Sequence, residues 1–182
     1  MSNKKVSDRY AKAIFEIALE QNKIEEVHND MDLIQKTVQE SKDFDNLIHS
    51  PVVNHDKKIS IFKEIFSDKV STLTLEFTSL LIKKGRDYLV DDVANRFTYL
   101  YNEKNGILPV VITTAIEMDD ATKEKVTGKI HDVTGKKVLS DFLIDDSIKG
   151  GIKVQIDDWV YDASLETQLQ EIHEKLIKGE NL

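Results

Sequence analysis

The hydrophobic period of this chain changes once, at Asn105-Gly106. Before that point apolar residues recur every three or four positions, as on one face of a helix. After it they alternate in short β-branched runs. The two periods cannot share one element, so the break separates two kinds of architecture. The expectation is a two-domain α+β chain. Residues 1–105 read as a six-helix bundle, and residues 106–182 as a small α+β domain with a mixed four-stranded sheet and two helices. A length of 182 residues accommodates two small domains, and a hydrophobic content of 40% supplies a core.

Within the first half, Ser7 or Asp8 is expected to cap a helix that runs to about Asn22. A second helix spans about Ile24 to Glu40, with Val27, Met31, Ile34 and Val38 at helical spacing. A short third helix, near Asp43 to His49, stops before Ser50-Pro51. Asn54 or Asp56 starts a fourth. Ser71 or Thr72 starts a fifth, which ends at Gly85, and Asp87 opens a sixth that reaches Lys104. In the second half, Leu108–Thr114 reads as a strand. Asp119-Asp120 then opens a helix with Val126, Ile130 and Val133 inward and Gly135 at its end. Val138–Ile144, Ile152–Ile156 and Trp159–Tyr161 are further strands. Ser164 caps a last helix with Leu165, Leu169, Ile172 and Leu176 on one stripe.

Charge and composition exclude several kinds of chemistry. The net charge of −8 speaks against nonspecific nucleic-acid binding, which needs clustered Lys and Arg. Residues 1–105 carry 16 Lys/Arg against 18 Asp/Glu, and residues 106–182 carry 9 against 15, so the second half holds −6 of the total. With no cysteine there is no disulfide, thiol catalysis or cysteine-based metal site. No apolar run reaches the ~20 residues that span a bilayer, and the N-terminus carries neither a signal core nor a transit peptide.

Candidate sites are few. Gly150-Gly151 opens a strand and not a helix, so it lacks the context that lets glycines cradle a phosphate; the pair reads as a bulge or a close approach of backbones. Asp119-Asp120, Asp145-Asp146 and Asp157-Asp158 each stand where an element turns or starts, which is the chemistry of caps and turns. The five histidines, at 28, 49, 55, 131 and 173, form no metal-binding motif. Trp159 and Tyr161 share one face of a strand and read as packing residues, or as part of a partner surface. No catalytic, cofactor-binding or metal-ligating set emerges.

The first helix is more informative. Tyr10, Ala11, Ala13, Ile14, Phe15, Ile17, Ala18 and Leu19 cover roughly 240° of its circumference, well beyond the ~100° stripe that one core face requires. The fifth helix shows the same surplus, with Leu73, Phe77, Leu80 and Leu81 on one stripe and Leu75 and Ile82 away from it. Two arrangements satisfy this. Either the helix is central and buried on most sides, or one face packs inward and the other lines a groove for a partner helix.

Two segments resemble a known family. RYAKAIFEIALEQNKIEEV (residues 9–27) resembles the opening helix of the delta subunit of F-type ATP synthase, the OSCP/delta family. LIDDSIKGGIKVQIDDWVYDASLETQLQEI (residues 143–172) resembles its C-terminal signature of Gly-Gly, an alternating strand and Asp-x-Ser before a helix; Lys84-Gly85-Arg86 also fits. The resemblance implies a non-catalytic stator subunit without a cofactor. Its N-terminal bundle would bind the N-terminal helix of an alpha subunit, in a groove of Tyr10, Ala13, Ile14 and Ile17 facing Leu73, Phe77 and Leu80. Its C-terminal domain, with Gly150, Gly151, Asp162 and Ser164 as signature residues, would hold the b-type peripheral stalk. The protein would then touch the membrane only through the complex, at the cytoplasmic face of a bacterial cell.

The chain departs from the family pattern in three places. Asp157-Asp158 replaces Gly-Asp at the hairpin, Asp162-Ala163-Ser164 replaces Asp-Gly-Ser, and Leu165–Leu169 lacks the usual arginines. With the acidic second half, these changes imply a stalk end that is basic or mixed in charge. Two other readings stand beside this one. One is a helical adaptor with a regulatory ligand-binding domain, and the other is a metal-dependent enzyme that uses the acidic pairs.

Overall fold

The computed structural model describes residues 3–50 and 52–178, without the side chains of Asn3, Lys175, Leu176 and Lys178. Pro51 and the side chain of Leu176, both used in the sequence reading, therefore lie outside the described residues. The chain divides into two compact units, Met1–Tyr101 and Asn102–Leu182. Among the described residues there are eight α-helices and one four-stranded sheet.

The first unit is built from α1 (Asn3–Glu20), α2 (Ile24–Glu40), α3 (Lys42–His49), α4 (His55–Phe66), α5 (Thr72–Lys83) and α6, which begins at Val90 and runs on to Lys104. Local chemistry sets most of the boundaries. Ser41 caps α3 by accepting from the Phe44 N–H, Asn54 caps α4 from Asp56, and Ser71 caps α5 from Thr74. Helix α1 ends on Asn22 in the left-handed region (φ 55), with the Lys23 N–H donating to the Ala18 carbonyl at 2.8 Å. Gly85 (φ 63) ends α5 in the same way, with Arg86 N–H on the Leu81 carbonyl at 2.9 Å.

Two of the expected helix starts differ. Helix α1 begins at Asn3, ahead of Ser7 and Asp8, because nothing in Lys4-Lys5-Val6 breaks a helix. Ser7 instead bonds back to the Lys4 carbonyl, and Asp8 pairs with Lys12 and Arg96. Asp87 opens a 3₁₀ turn (Asp87–Leu89), and α6 starts only at Val90. The Asp87 carboxylate is taken by the buried Lys58 ammonium, which also donates to the Ile48 carbonyl at 2.7 Å. The core of this unit includes Ile14, Ile34, Phe62, Phe66, Leu81, Ile82, Leu89 and Phe97.

The second unit contains β1 (Ile107–Thr114), α7 (Asp120–Thr134), β2 (Lys137–Ile144), β3 (Gly151–Ile156), β4 (Trp159–Ser164) and α8 (Leu165–Lys178). The sheet order is β2-β1-β3-β4. β1 and β2 are parallel and the other pairs antiparallel. Leu108, Val110, Ile112 and Val154 form its buried core, with Val126 and Ile130 of α7 packed over them. Val133 was expected to join them but is 87% exposed; Ile130 is the last α7 residue to reach the sheet. Trp159 and Tyr161 are not buried packing residues either. They lie on the edge strand β4, whereas α7 packs against β2 at the opposite edge, and they stack on each other with ring centroids 6.0 Å apart.

One member of each acidic pair, and both glycines, shape local backbone. Asp119 caps α7, Asp145 accepts from the Ser147 N–H, and Asp157 (φ 49) occupies the two-residue turn that closes Ile156 on Trp159. Gly151 (φ 78) pairs with Ser164, and a Cβ there would sit 2.3 Å from the Ala163 carbonyl oxygen. At Gly150 (φ 154) a Cβ would meet Leu165 Cδ1 at 2.8 Å, and the Leu165 N–H donates to the Gly150 carbonyl. Asp162 accepts from the Ser164 N–H at 2.9 Å and pairs with Lys153 at 3.1 Å. Hydrogen bonding from Ser164 holds its carboxyl well below the usual carboxylate range. Ser164 in turn caps α8 through Thr167.

Gly151→Ala is expected to destabilise the second unit by about 3 kcal/mol, from backbone strain and overpacking together. The single tryptophan, Trp159, lies in β4 and reports this directly in urea titrations followed by fluorescence. In the first unit, His28 stacks on Tyr101 with centroids 3.9 Å apart, and its burial pushes the imidazole pKa below the ordinary value, against the opposing pull of Asp32 and Glu25. A lowered folded pKa means that the folded state binds fewer protons, so this contribution is complete above the unfolded value and is lost as pH falls through the folded one. Thermal melts from pH 7.5 to pH 5 should show a decline that is shallower in His28→Phe, which keeps the stacking and removes the titration.

Candidate partner-binding groove

The surplus apolar surface of α1 and α5 divides into a buried part and an exposed part. On α1, Ala11, Ile14 and Ala18 point into the core, while Ala13 and Ile17 lie on the adjoining, solvent-facing edge with Tyr10 half-buried between them. Ile14 is 0% exposed and Ile17 is 39% exposed. On α5, Phe77, Leu81 and Ile82 are buried, Leu73 is half-buried and Leu80 is 46% exposed. The expected stripe of Leu73, Phe77, Leu80 and Leu81 is therefore cut by the surface, and Ile82, placed away from that stripe, is core. Both halves of the sequence proposal meet at one contact: the Tyr10 ring packs edge-on against Phe77, with centroids 6.5 Å apart.

The two helix edges meet at that ring contact, with Ala13 and Ile17 exposed on the α1 side and half-buried Leu73 and exposed Leu80 on the α5 side, as an apolar strip. Ile14 supports this strip from inside and does not line it. Exposed Glu16 and Glu20 on α1 and Glu76 on α5 complete the surroundings. Exposed apolar side chains of this kind have the chemistry to meet the apolar face of an amphipathic helix.

Away from the strip, Asp45 and His49 of α3 and Asp91 of α6 bring their ligand atoms within 4.8 Å of one another. His49 Nδ1 lies 3.0 Å from an Asp45 carboxylate oxygen, and burial raises the Asp91 pKa, assisted by Asp45 and Asp92 and opposed by His49. The sequence reading missed this group. Only the four-residue step from Asp45 to His49 is visible in the sequence, and Asp91 joins through tertiary packing. The second unit also leaves apolar side chains open: Leu165, Leu169 and Ile172 on α8, and Trp159, Val160 and Tyr161 on β4. Among the described residues, no helix is long and apolar enough to cross a membrane.

The chain thus pairs a helical unit that leaves apolar side chains of α1 and α5 exposed with an α+β unit that leaves apolar side chains of β4 and α8 exposed. Comparison with known proteins gives the family. The family model for the ATP synthase delta (OSCP) subunit matches residues 6–176. The ATP synthase subunit delta of Chlorobium phaeobacteroides (strain BS1) is 37% identical over 176 residues, covering 97% of this chain and 98% of that protein. That of Christiangramia forsetii is 34% identical over 176 residues, covering 97% and 95%. A chain in the cryo-EM structure of the Toxoplasma gondii mitochondrial ATP synthase hexamer shares the fold, with a TM-score of 0.77 and 20% identity over 94% of this chain and 97% of that one. The chain belongs to the ATP synthase delta (OSCP) subunit family. As a member it is a non-catalytic stator subunit, which links the catalytic head to the peripheral stalk through the alpha-subunit N-terminus and the b-type subunits.

The partition of α1 is directly testable. Ile14→Asp places an unpaired charge in the core and should cost at least about 4 kcal/mol, enough to unfold the first unit. Ile17→Asp and Leu80→Asp should shift stability by no more than ~1 kcal/mol, since both sites are open to solvent. Circular dichroism melts of the three variants separate these outcomes.

Proposed function

We propose that the two units divide the stator role. The first unit works as a six-helix bundle and receives the alpha-subunit N-terminal helix along Tyr10, Ala13, Ile17, Leu73, Phe77 and Leu80. The edge contact of Tyr10 with Phe77, which joins the two exposed ridges, carries this reading. The second unit holds the b-type stalk through the open side chains of β4 and α8. Its departures from the family pattern give the contact its polarity. Where arginines are usual, this chain has Leu165, Glu166, Thr167, Gln168 and Leu169, and its second half is acidic overall. The stalk end that fits is apolar with basic or mixed flanks. The cellular site that follows is the cytoplasmic face of a bacterial membrane, reached through the complex.

Titration of the full chain with a peptide of the alpha-subunit N-terminal helix tests the first contact. Leu80→Asp or Ile17→Asp, folded by circular dichroism, should weaken binding at least 30-fold, about 2 kcal/mol at an apolar anchor. Unchanged affinity would remove these residues from the groove. The stalk contact should weaken as salt rises from 50 to 500 mM, because exposed charges are screened beyond a Debye length of ~10 Å at 0.1 M. Binding of a C-terminal b-subunit fragment that is indifferent to salt would overturn the polarity assignment.

A further inference from the structure

The α5 ridge is only useful if α5 keeps one rotation about its own axis, and apolar burial does not fix that rotation. Leu73, Leu75, Phe77, Leu80, Leu81 and Ile82 spread over roughly 220° of the helix at 100° per residue. A turn by one position, about 100°, would bury Leu73 and Leu80 and release Ile82, with little change in apolar area. Exposed Glu76, beside Leu80 on the wheel, would be carried inward by the turn and opposes it from outside. Polar side chains have to distinguish the two states.

Asp30 of α2 has the geometry to do so. It is 6% exposed. One carboxylate oxygen accepts three hydrogen bonds from the start of α5: the Ser71 N–H at 2.9 Å, the Ser71 hydroxyl at 2.6 Å and the Thr74 hydroxyl at 2.7 Å. Ser71 is the helix cap and Thr74 is fully buried. The bonds to Ser71 fix where α5 begins. The bond to Thr74 fixes which side turns inward. A rotated helix would carry Thr74 away and leave a buried carboxylate short of a donor, which is strongly unfavourable. The negative charge also faces the positive end of the helix dipole.

We propose that Asp30 is a positioning residue for the groove. It sets the rotational phase of α5, so that Leu73 and Leu80 face outward and Ile82 faces inward. This rests on the groove reading above for its functional meaning, though not for its structural test. A purely stabilising role would predict something different, since replacing a buried polar set with apolar residues of similar shape is often neutral or stabilising.

The chain has no cysteine, so single thiols report rotation cleanly. Leu80→Cys and Ile82→Cys are made in the full chain, each with the parent sequence and with Asp30→Ala/Thr74→Val, and labelled with dithiobis-nitrobenzoate. In the parent, the thiol at position 80 should react far faster than the thiol at position 82, following 46% and 1% exposure of the native side chains. In the folded double variant the ratio of rates should fall at least tenfold. A ratio within twofold of the parent's overturns the proposal. If the double variant does not fold, Thr74→Val alone carries the test, with an expected fall of at least threefold and the same overturning result. The alpha-subunit peptide is titrated in parallel against cysteine-free chains. Loss of affinity in the double variant together with a fallen ratio supports both readings. A fallen ratio with a parent that does not bind the peptide supports the role of Asp30 and sinks the groove.

Discussion

The first unit depends on one constraint: α1 has to bury one apolar face within its own unit and leave the adjoining one open. Ile14 and Ile17 are three residues apart, yet the first is fully buried and the second is 39% exposed. A helix can do this only if its packing is fixed to within a fraction of a turn, because a 100° error exchanges the two faces. Large side chains supply part of that precision. Phe15 packs edge-on against Phe97 of α6 at 5.5 Å, Tyr10 does the same against Phe77, and Asp8 ties α1 to Arg96 at 2.6 Å. Buried polar contacts fix the elements around α1, in the Asp30 set between α2 and α5 and in the Lys58–Asp87 pair between α4 and the 3₁₀ turn. Such contacts add little net stability, but they penalise every packing that breaks them.

The second unit solves a different problem. Its sheet has one strongly buried face, and its last two elements are joined without a loop: β4 ends at Ser164 and α8 starts at Leu165. The turn between strand and helix must be made where β3 begins, so the backbones come close. Gly151 tolerates that approach to Ala163, while Ser164 is buried and caps the helix. Asp162 completes the corner by accepting from Ser164 and Lys153. The Gly-Gly and Asp-x-Ser elements, at the two ends of the β3–β4 hairpin, are two sides of one corner. A metal or phosphate role is unnecessary to explain either.

Much of this was legible in the sequence, for identifiable reasons. The helical and alternating periods located the elements, and cap residues such as Ser71, Asn54 and Asp119 marked where helices start. Local signals mislead where a longer-range interaction competes with them. Asp8 has the chemistry of a cap, but Arg96 and Lys12 claim its carboxylate. Asp87 likewise looked like a helix start and is the partner of Lys58. Val133 has the right spacing to pack inward, but periodicity does not say where the sheet stops. The partition of α1 was half legible: the width of the apolar arc showed that two faces exist, while the assignment of Ile14 to the inner one required the neighbours that only the fold supplies. Asp30 was invisible as a positioning residue, since its donors are 41 and 44 residues away.

The two surfaces differ in a way that suits a part under load. On the proposed division of roles, the first unit's apolar strip grips by fit and by the rigidity of the helices that carry it. The open surface proposed to hold the stalk is broader in composition and sits in an acidic half, so its grip would depend partly on charge. A stator in series transmits no more torque than its weaker joint holds. An apolar joint loses little in salt but fails if α5 turns, whereas a charged joint tolerates small rotations and weakens as charges are screened. On the proposed division of roles, the buried hydrogen bonds between α2 and α5 stand where rotation would do most harm, behind the joint whose strength depends on which side chains face outward.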